Sequence, residues 1–468
     1  MADKASVVPI SKIFSQAPDV NKEYIKVMLK EDVAVLCINR EAQKKRSMPF
    51  KALYDNNQQF WQQGGKWEYF LLEETFAEVK EKIVGSNFSE WKPPDLSAIK
   101  QEIDTNLGYG SEHEVISAMS NEKRVEKINE LSNQLNDLIS KKVKTPEKIT
   151  EVLVETTKKA ALINHATILG AMQLADDEAR KATQSLVTST SNMVKSSVYL
   201  VSENLLNDDL MNSIVQKSNG TIVQHMTRVY LSGLSFLAFY NKLVSTSSII
   251  NKLRVTVEKK YSPFYCALMP DLHPQHLTLE KIFYGGMRAI PYEVLHVWGI
   301  GFLIHDIGKA TAVEYHEGEE AYNRDIVMEH VKLGYTSIMN KTNYPREAGL
   351  IAGYHHEYYG DNSGYGFFRS YLDSYKKVNP SARQDYFIAY ELEPMIDYRA
   401  KAFFPAKILE IIDIYDSVTD PNRKYRKAMT PEEALAMMRE QFIDKNLKID
   451  PVLFDIFVAF VNEKGKKK

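Results

Sequence analysis

The stretch "HVWGIGFLIHDIGK", His296 to Lys309, decides how the second half of this chain is read. An apolar run of nine residues has the composition of a buried helix. It ends in His305 and Asp306, followed by Gly308 and Lys309. Burying an imidazole and a carboxylate is costly unless each finds a partner. Two adjacent polar residues do not tell a metal site from a helix that happens to end polar. The rest of the chain must supply further ligands or fail to.

The chain holds eleven histidines, so clustering carries information. His330 lies in "DIVMEHVKLG", and His355 and His356 in "IAGYHHEYYG". Asp413 and Asp416 interrupt the apolar "ILEIIDIYDSVTD". Each sits on an otherwise apolar helical pattern or just past its end. Taken singly, such a histidine is usually a hydrogen-bonded core residue. Taken together, they would converge inside a helical bundle, where di-metal sites are built. Mixed imidazole and carboxylate ligands suit iron, manganese or zinc, and no cysteine lies nearby to make a thiolate site. Two such ions lower the pKa of a water and clamp the oxygens of a phosphodiester, so the implied chemistry is phosphoester hydrolysis. Lys309, one turn on, suits a non-bridging phosphate oxygen.

The surrounding sequence sets the frame. A chain of 468 residues suggests two or three domains. A net charge of −2 supplies no global field for nucleic acid or anionic lipid, and no partner of either kind is expected. The one-signed tail "EKGKKK" is read as disordered. Cys37 and Cys266 form no disulfide framework, the N-terminus lacks a signal-peptide pattern, and no apolar run reaches the length of a membrane span. A cytoplasmic protein is expected. The expected fold is mainly α: a small α/β domain over about 1–90, a helical connecting region over 91–204, and an all-helical bundle over 205–462. "VAVLCI" reads as a strand, and "KWEYFLLEETFAEVKEKIV" as a strand running into a helix. "SNFSEWKPPDLS" reads as a linker. Ile128, Leu131, Leu135 and Leu138 form an apolar seam, either one face of a bundle helix or a homodimer contact. "TPEK" at Thr145 and "TPEEALAMM" at Thr430 signal helix starts, with threonine as N-cap and proline first inside.

In order along the chain, "HDIGK", "HVKLG", "HHEYYGDNSGYG" and "DIYDSVTDPNRKYRKAMTPEEAL" resemble the HD-GYP phosphodiesterases over roughly the last 250 residues. The resemblance implies a helical bundle that hydrolyses cyclic di-GMP to pGpG or GMP. It implies two divalent metals, commonly iron or manganese, with zinc or magnesium as alternatives. It carries over His305, Asp306, His330, His355, His356 and Asp413 as ligands, with Asp306 bridging. Lys309 and Tyr365 would meet substrate, and Arg423 and Arg426 would hold its phosphate backbone or guanine.

The family's early ligand histidine has two candidates, His225 and His273. His225 is preferred because Arg228 and Val229 follow in register on an amphipathic pattern. That choice implies an insertion over roughly 245–290, near the mouth of the site. Three features depart from the family. "GDNSGYG" has one extra residue and Gly366 where a proline belongs, which would loosen the loop. The loop "TDPNR" before the arginines also has one residue more than the family's. Thr221, four residues before His225, replaces the glutamate of three-metal members, so two metals are expected. Besides an active phosphodiesterase, the residues leave open a non-catalytic cyclic di-GMP receptor, or a phosphohydrolase of another nucleotide.

Overall fold

The computed structural model describes residues 7–14, 18–39, 44–56, 67–84, 115–140, 145–204, 222–309, 324–359, 364–366, 385–396, 400–421 and 427–465. The linker expected over 86–97, the last three lysines, and Arg423 and Arg426 lie outside these residues. The fold is mainly α. Contacts divide the chain into two compact units, Met1–Pro93 and Pro94–Lys468.

The first unit is built on an antiparallel sheet of β1 (Val7–Pro9), β2 (Ala34–Asn39), β3 (Lys44–Pro49) and β4 (Glu68–Leu72), in the order β1-β4-β2-β3. Its helices are α1 (Ile10–Ile13), α2 (Pro18–Lys30), α3 (Phe50–Asn56) and α4 (Glu73–Val84). "VAVLCI" is the central strand β2, and the pattern after Trp67 turns from β4 into α4 as its periodicity changes from two to helical. Val35 and Cys37 point inward against Leu71, Phe50 and Met28. The sheet also recruits two strands the pattern does not announce. β1 has three residues, too few to show a period, and β3 is an edge strand carrying Lys44, Lys45 and Arg46. Basic side chains on an edge discourage pairing with a further strand.

In the second unit, α5 (Asn121–Ser140), α6 (Pro146–Ala171) and α7 (Asp176–Asn204) pack on one another and share one continuous apolar core with the elements that follow. The α5 seam is covered inside this chain: Ile128, Leu131 and Leu135 are fully buried and Leu138 nearly so. Thr145 caps α6 through the Lys148 N–H, and Thr430 closes a full capping box with Glu433. Next come α8 (Ile222–Ser245), α9 (Ser247–Leu268), α10 (Leu279–Ile282), α11 (Tyr292–Ile304), α12 (Arg324–Lys341) and α13 (Arg346–Tyr354). The chain closes with α14 (Glu393–Ile396), α15 (Phe404–Thr419), α16 (Pro431–Arg439) and α17 (Pro451–Gly465).

The expected insertion folds as α9 and α10, and α9 packs on α8 and α17. The bundle is not wholly helical. β5 (Asp385–Ala389) and β6 (Ala400–Phe403) pair in parallel, and Phe283, just past α10, bridges to Ile388. Such short strands satisfy backbone groups that a buried connection would otherwise leave unpaired.

The helix named by the opening stretch, α11, is the hub. From Val297 to Ile304 it is apolar on every side, as a helix stretch surrounded by others must be, and the helix touches α6, α7, α8 and α13. Leu135→Ala removes a fully buried side chain from the α5 seam. It is expected to lower unfolding free energy by about 2–5 kcal/mol, read as a shift in the urea midpoint of the transition reporting the second unit.

Candidate metal centre

Three helix ends and two helix interiors deliver the polar residues to one place. His305 is the C-cap of α11, with Asp306 next; His355 is the C-cap of α13, with His356 next. His225 lies in the first turn of α8, His330 within α12, and Asp413 within α15. All are at least nine-tenths buried. The close approach of the α11 end to α12 depends on Gly308. A Cβ there would fall on the His330 carbonyl oxygen, 2.5 Å from the backbone nitrogen of Gly334.

Two groups of donors form. The ligand atoms of His225, His305, Asp306 and Asp413 lie within 4.8 Å of one another, and so do those of His330, His355 and His356. The two carboxylates stand between the groups. Asp306 Oδ2 is 3.3 Å from His225 Nε2 and 3.6 Å from His305 Nε2; its Oδ1 is 3.2 Å from His330 Nε2 and 3.6 Å from His355 Nε2. Asp413 Oδ1 is 2.8 Å from His225 Nε2, and its Oδ2 is 3.8 Å from His356 Nε2.

The rings are aimed by the chain itself. His305 Nδ1 donates to the Phe302 carbonyl at 2.9 Å, and His355 Nδ1 donates to the Ala352 carbonyl at 2.8 Å. A carbonyl oxygen only accepts, so Nδ1 carries the hydrogen and Nε2 presents its lone pair to the interior. The same bond satisfies a carbonyl left over at a helix C-terminus. His225 Nδ1 donates instead to Asp416 Oδ2 at 2.7 Å. Arg228 grips both oxygens of Asp416, at 2.7 and 2.9 Å, and reaches Asp420 at 2.7 Å. Carboxylate, imidazole and inward Nε2 in series is how proteins orient a metal-binding histidine. The turn after His356 is tied to α15 by buried Lys407, which donates to the Glu357 carbonyl and, at 2.7 Å, to Glu410.

The donor set fits a divalent ion. No well-aligned hydrogen bond reaches His225 Nε2, His305 Nε2, Asp306 Oδ1, His356 Nε2 or Asp413 Oδ1, although each is buried. Protonation states suit ligation too. Burial holds the His305 pKa down at about 3 and lowers those of His330 and His356. Burial opposes ionisation of the three aspartates but is outweighed. Lys309 and the surrounding histidines hold Asp306 well below the usual carboxylate range, and His225 does the same for Asp413. Arg228 and His225 hold Asp416 at about 2. His225 is the exception among the rings. Burial would lower it, but Asp306, Asp413 and Asp416 together raise it to about 10.

The remaining sequence candidates divide. Lys309 is ion-paired with Asp306 and partly exposed. Tyr365 stacks on the His356 ring at 4.4 Å and 29°. His273 is exposed and caps a short 3-10 turn through Gln275 N–H, so His225 alone of that pair joins the cluster. The positioning of His225 by Asp416, Arg228 and Asp420 was not read from the sequence. The three- and four-residue spacing of Asp413, Asp416 and Asp420 on one helix face was its available signal.

Comparison with protein-family models, curated proteins and solved structures yields no significant match to this chain. What fold and site define is therefore a class: a mainly helical protein whose buried histidine and aspartate groups could hold metal. No described helix is long and apolar enough to cross a membrane.

Asp416→Ala leaves every inward ligand in place but frees the His225 ring. Metal affinity is expected to fall about 10–100-fold, read by titration with manganese. In the metal-free protein, protonated His225 stabilises the fold fully below pH 6.5, and that contribution is lost as pH rises through about 10. Metal must displace this proton. Calorimetric titrations near pH 7.5 in buffers of different ionisation enthalpy should show about one proton released on occupation of the His225 group.

Proposed function

We propose that the chain is an HD-GYP-type phosphodiesterase that hydrolyses cyclic di-GMP at a binuclear centre of iron or manganese. One observation carries the reading: Asp306 and Asp413 each turn one oxygen to one histidine group and the other oxygen to the second group. Carboxylates so placed could be shared by ions held in the two groups, and such a pair would suit in-line displacement at phosphorus. Bound metals would supply Lewis-acid charge and a water of lowered pKa.

The chain's own groups do the rest. Lys309 and Tyr365 are both partly exposed, and substrate approaches on their side. Lys309, held by Asp306 across the top of the centre, meets a non-bridging phosphoryl oxygen and stabilises the charge that grows there. Tyr365 excludes water from the His356 ring by stacking on it. Arg423 and Arg426 complete the reading as phosphate or guanine contacts. The protein acts in the cytoplasm.

The test is anaerobic turnover of cyclic di-GMP after reconstitution with ferrous iron or manganese, with pGpG and GMP followed by chromatography. Asp306→Ala should lose both metal and turnover. Lys309→Met should keep its metal and lose about 10²–10³-fold in turnover. Binding of cyclic di-GMP without product would make the protein a receptor instead. Wild-type metal content and rate in Asp306→Ala would overturn the site assignment.

A further inference from the structure

The tripeptide Gly364 to Gly366 is where composition and geometry disagree. A glycine in place of proline should loosen the loop. Yet the backbone N–H groups of Tyr365 and Gly366 both donate to the His356 carbonyl oxygen, at 3.1 and 3.2 Å, and join the Tyr358 N–H, which donates to it at 3.2 Å. The Tyr365 ring lies flat on the His356 imidazole. His356 is thus held twice, by its carbonyl and by its ring. On its other side its ring centroid stands 4.0 Å from that of His355.

Proline could not take part. It has no N–H to give. Any side chain at 366 also meets Glu357: a Cβ there would fall on the Glu357 carboxylate and lie 2.7 Å from the Glu357 Cβ. Glu357 follows His356 directly, so moving it aside strains the same turn.

We infer that Gly366 is a positioning residue for His356: its N–H and its missing side chain let the loop clasp the imidazole that completes the His330, His355 and His356 group. Gly366 acts through the backbone of His356 and touches neither substrate nor metal. The inference rests on the metal reading of the site. It does not depend on the substrate.

Its test is manganese titration of the full chain, with metal content measured by mass spectrometry and the unfolding midpoint of the metal-free form recorded alongside. Wild-type protein should take up about two ions per chain. Gly366→Pro should weaken one of them by about tenfold or more while leaving the metal-free midpoint close to wild type. Gly366→Ala should weaken the same ion through collision with Glu357. Glu357→Gly, which removes the Cβ as well as the carboxylate, should rescue Gly366→Ala, because the N–H bond survives there, and should not rescue Gly366→Pro. Glu357→Gly alone sets the baseline. Wild-type affinity for both ions in Gly366→Pro would overturn the inference. Rescue of both substitutions would overturn the part given to the N–H bond. A Gly366→Pro chain that does not fold leaves Gly366→Ala, with and without Glu357→Gly, to decide: no loss in Gly366→Ala, or no rescue, refutes the clasp. Wild-type protein that binds no manganese would sink the metal reading and this inference with it. Metal binding without hydrolysis of cyclic di-GMP would sink only the proposed substrate.

Discussion

A carboxylate with no exposed surface, Asp306, sits at the end of a helix whose last two turns are apolar on all sides. Such a group is tolerated only if both oxygens are met by opposite charge or by hydrogen-bond donors. One oxygen faces His225 and His305, and the other faces His330 and His355. Lys309 and protonated His225 bring positive charge to Oδ2, whereas His305 and His355 turn Nε2 lone pairs to the carboxylate and cannot donate to it. A cation held among these residues would tie α8, α11, α12 and α13 together. Asp413 on α15 repeats the arrangement from the opposite side.

The ligands are aimed by bonds that do not point at the centre. His305 and His355 use leftover carbonyls of their own helices; His225 uses a carboxylate fixed by an arginine that also holds a second carboxylate. This outer layer fixes the hydrogens on Nδ1 and keeps Nε2 inward. It also balances charge: Lys309, Arg228 and protonated His225 lie against Asp306, Asp413 and Asp416. A divalent ion held by the His225 group would displace the His225 proton and so would add about one positive charge rather than two.

Much of the site was legible because its chemistry is local. Histidines and aspartates on apolar patterns violate the rule that buried helix faces are apolar, and the violations stood out one by one at His305, His330, His355 and Asp413. The caps at Thr145 and Thr430 and the seam on α5 were legible for the same reason, since capping and periodicity act within a few residues. The strands β1 and β3 were not, being too short or too basic to show a pattern. The bond from the Gly366 N–H to the His356 carbonyl was not legible either. Composition counts the freedom a glycine has alone, whereas the loop uses its N–H and the room left for Glu357.

The sequence by itself determined which residues could ligate, which helices must be buried, and where several of them start. Only the tertiary structure decided that His225 rather than His273 faces the centre, that Asp416 orients it from 191 residues away, and that the carboxylates of Asp306 and Asp413 stand between two histidine groups. Helix signals are carried by hydrogen bonds and periodicity over one to three turns. The meeting of those helices is set by how their apolar faces pack, and that depends on residues far apart in the chain.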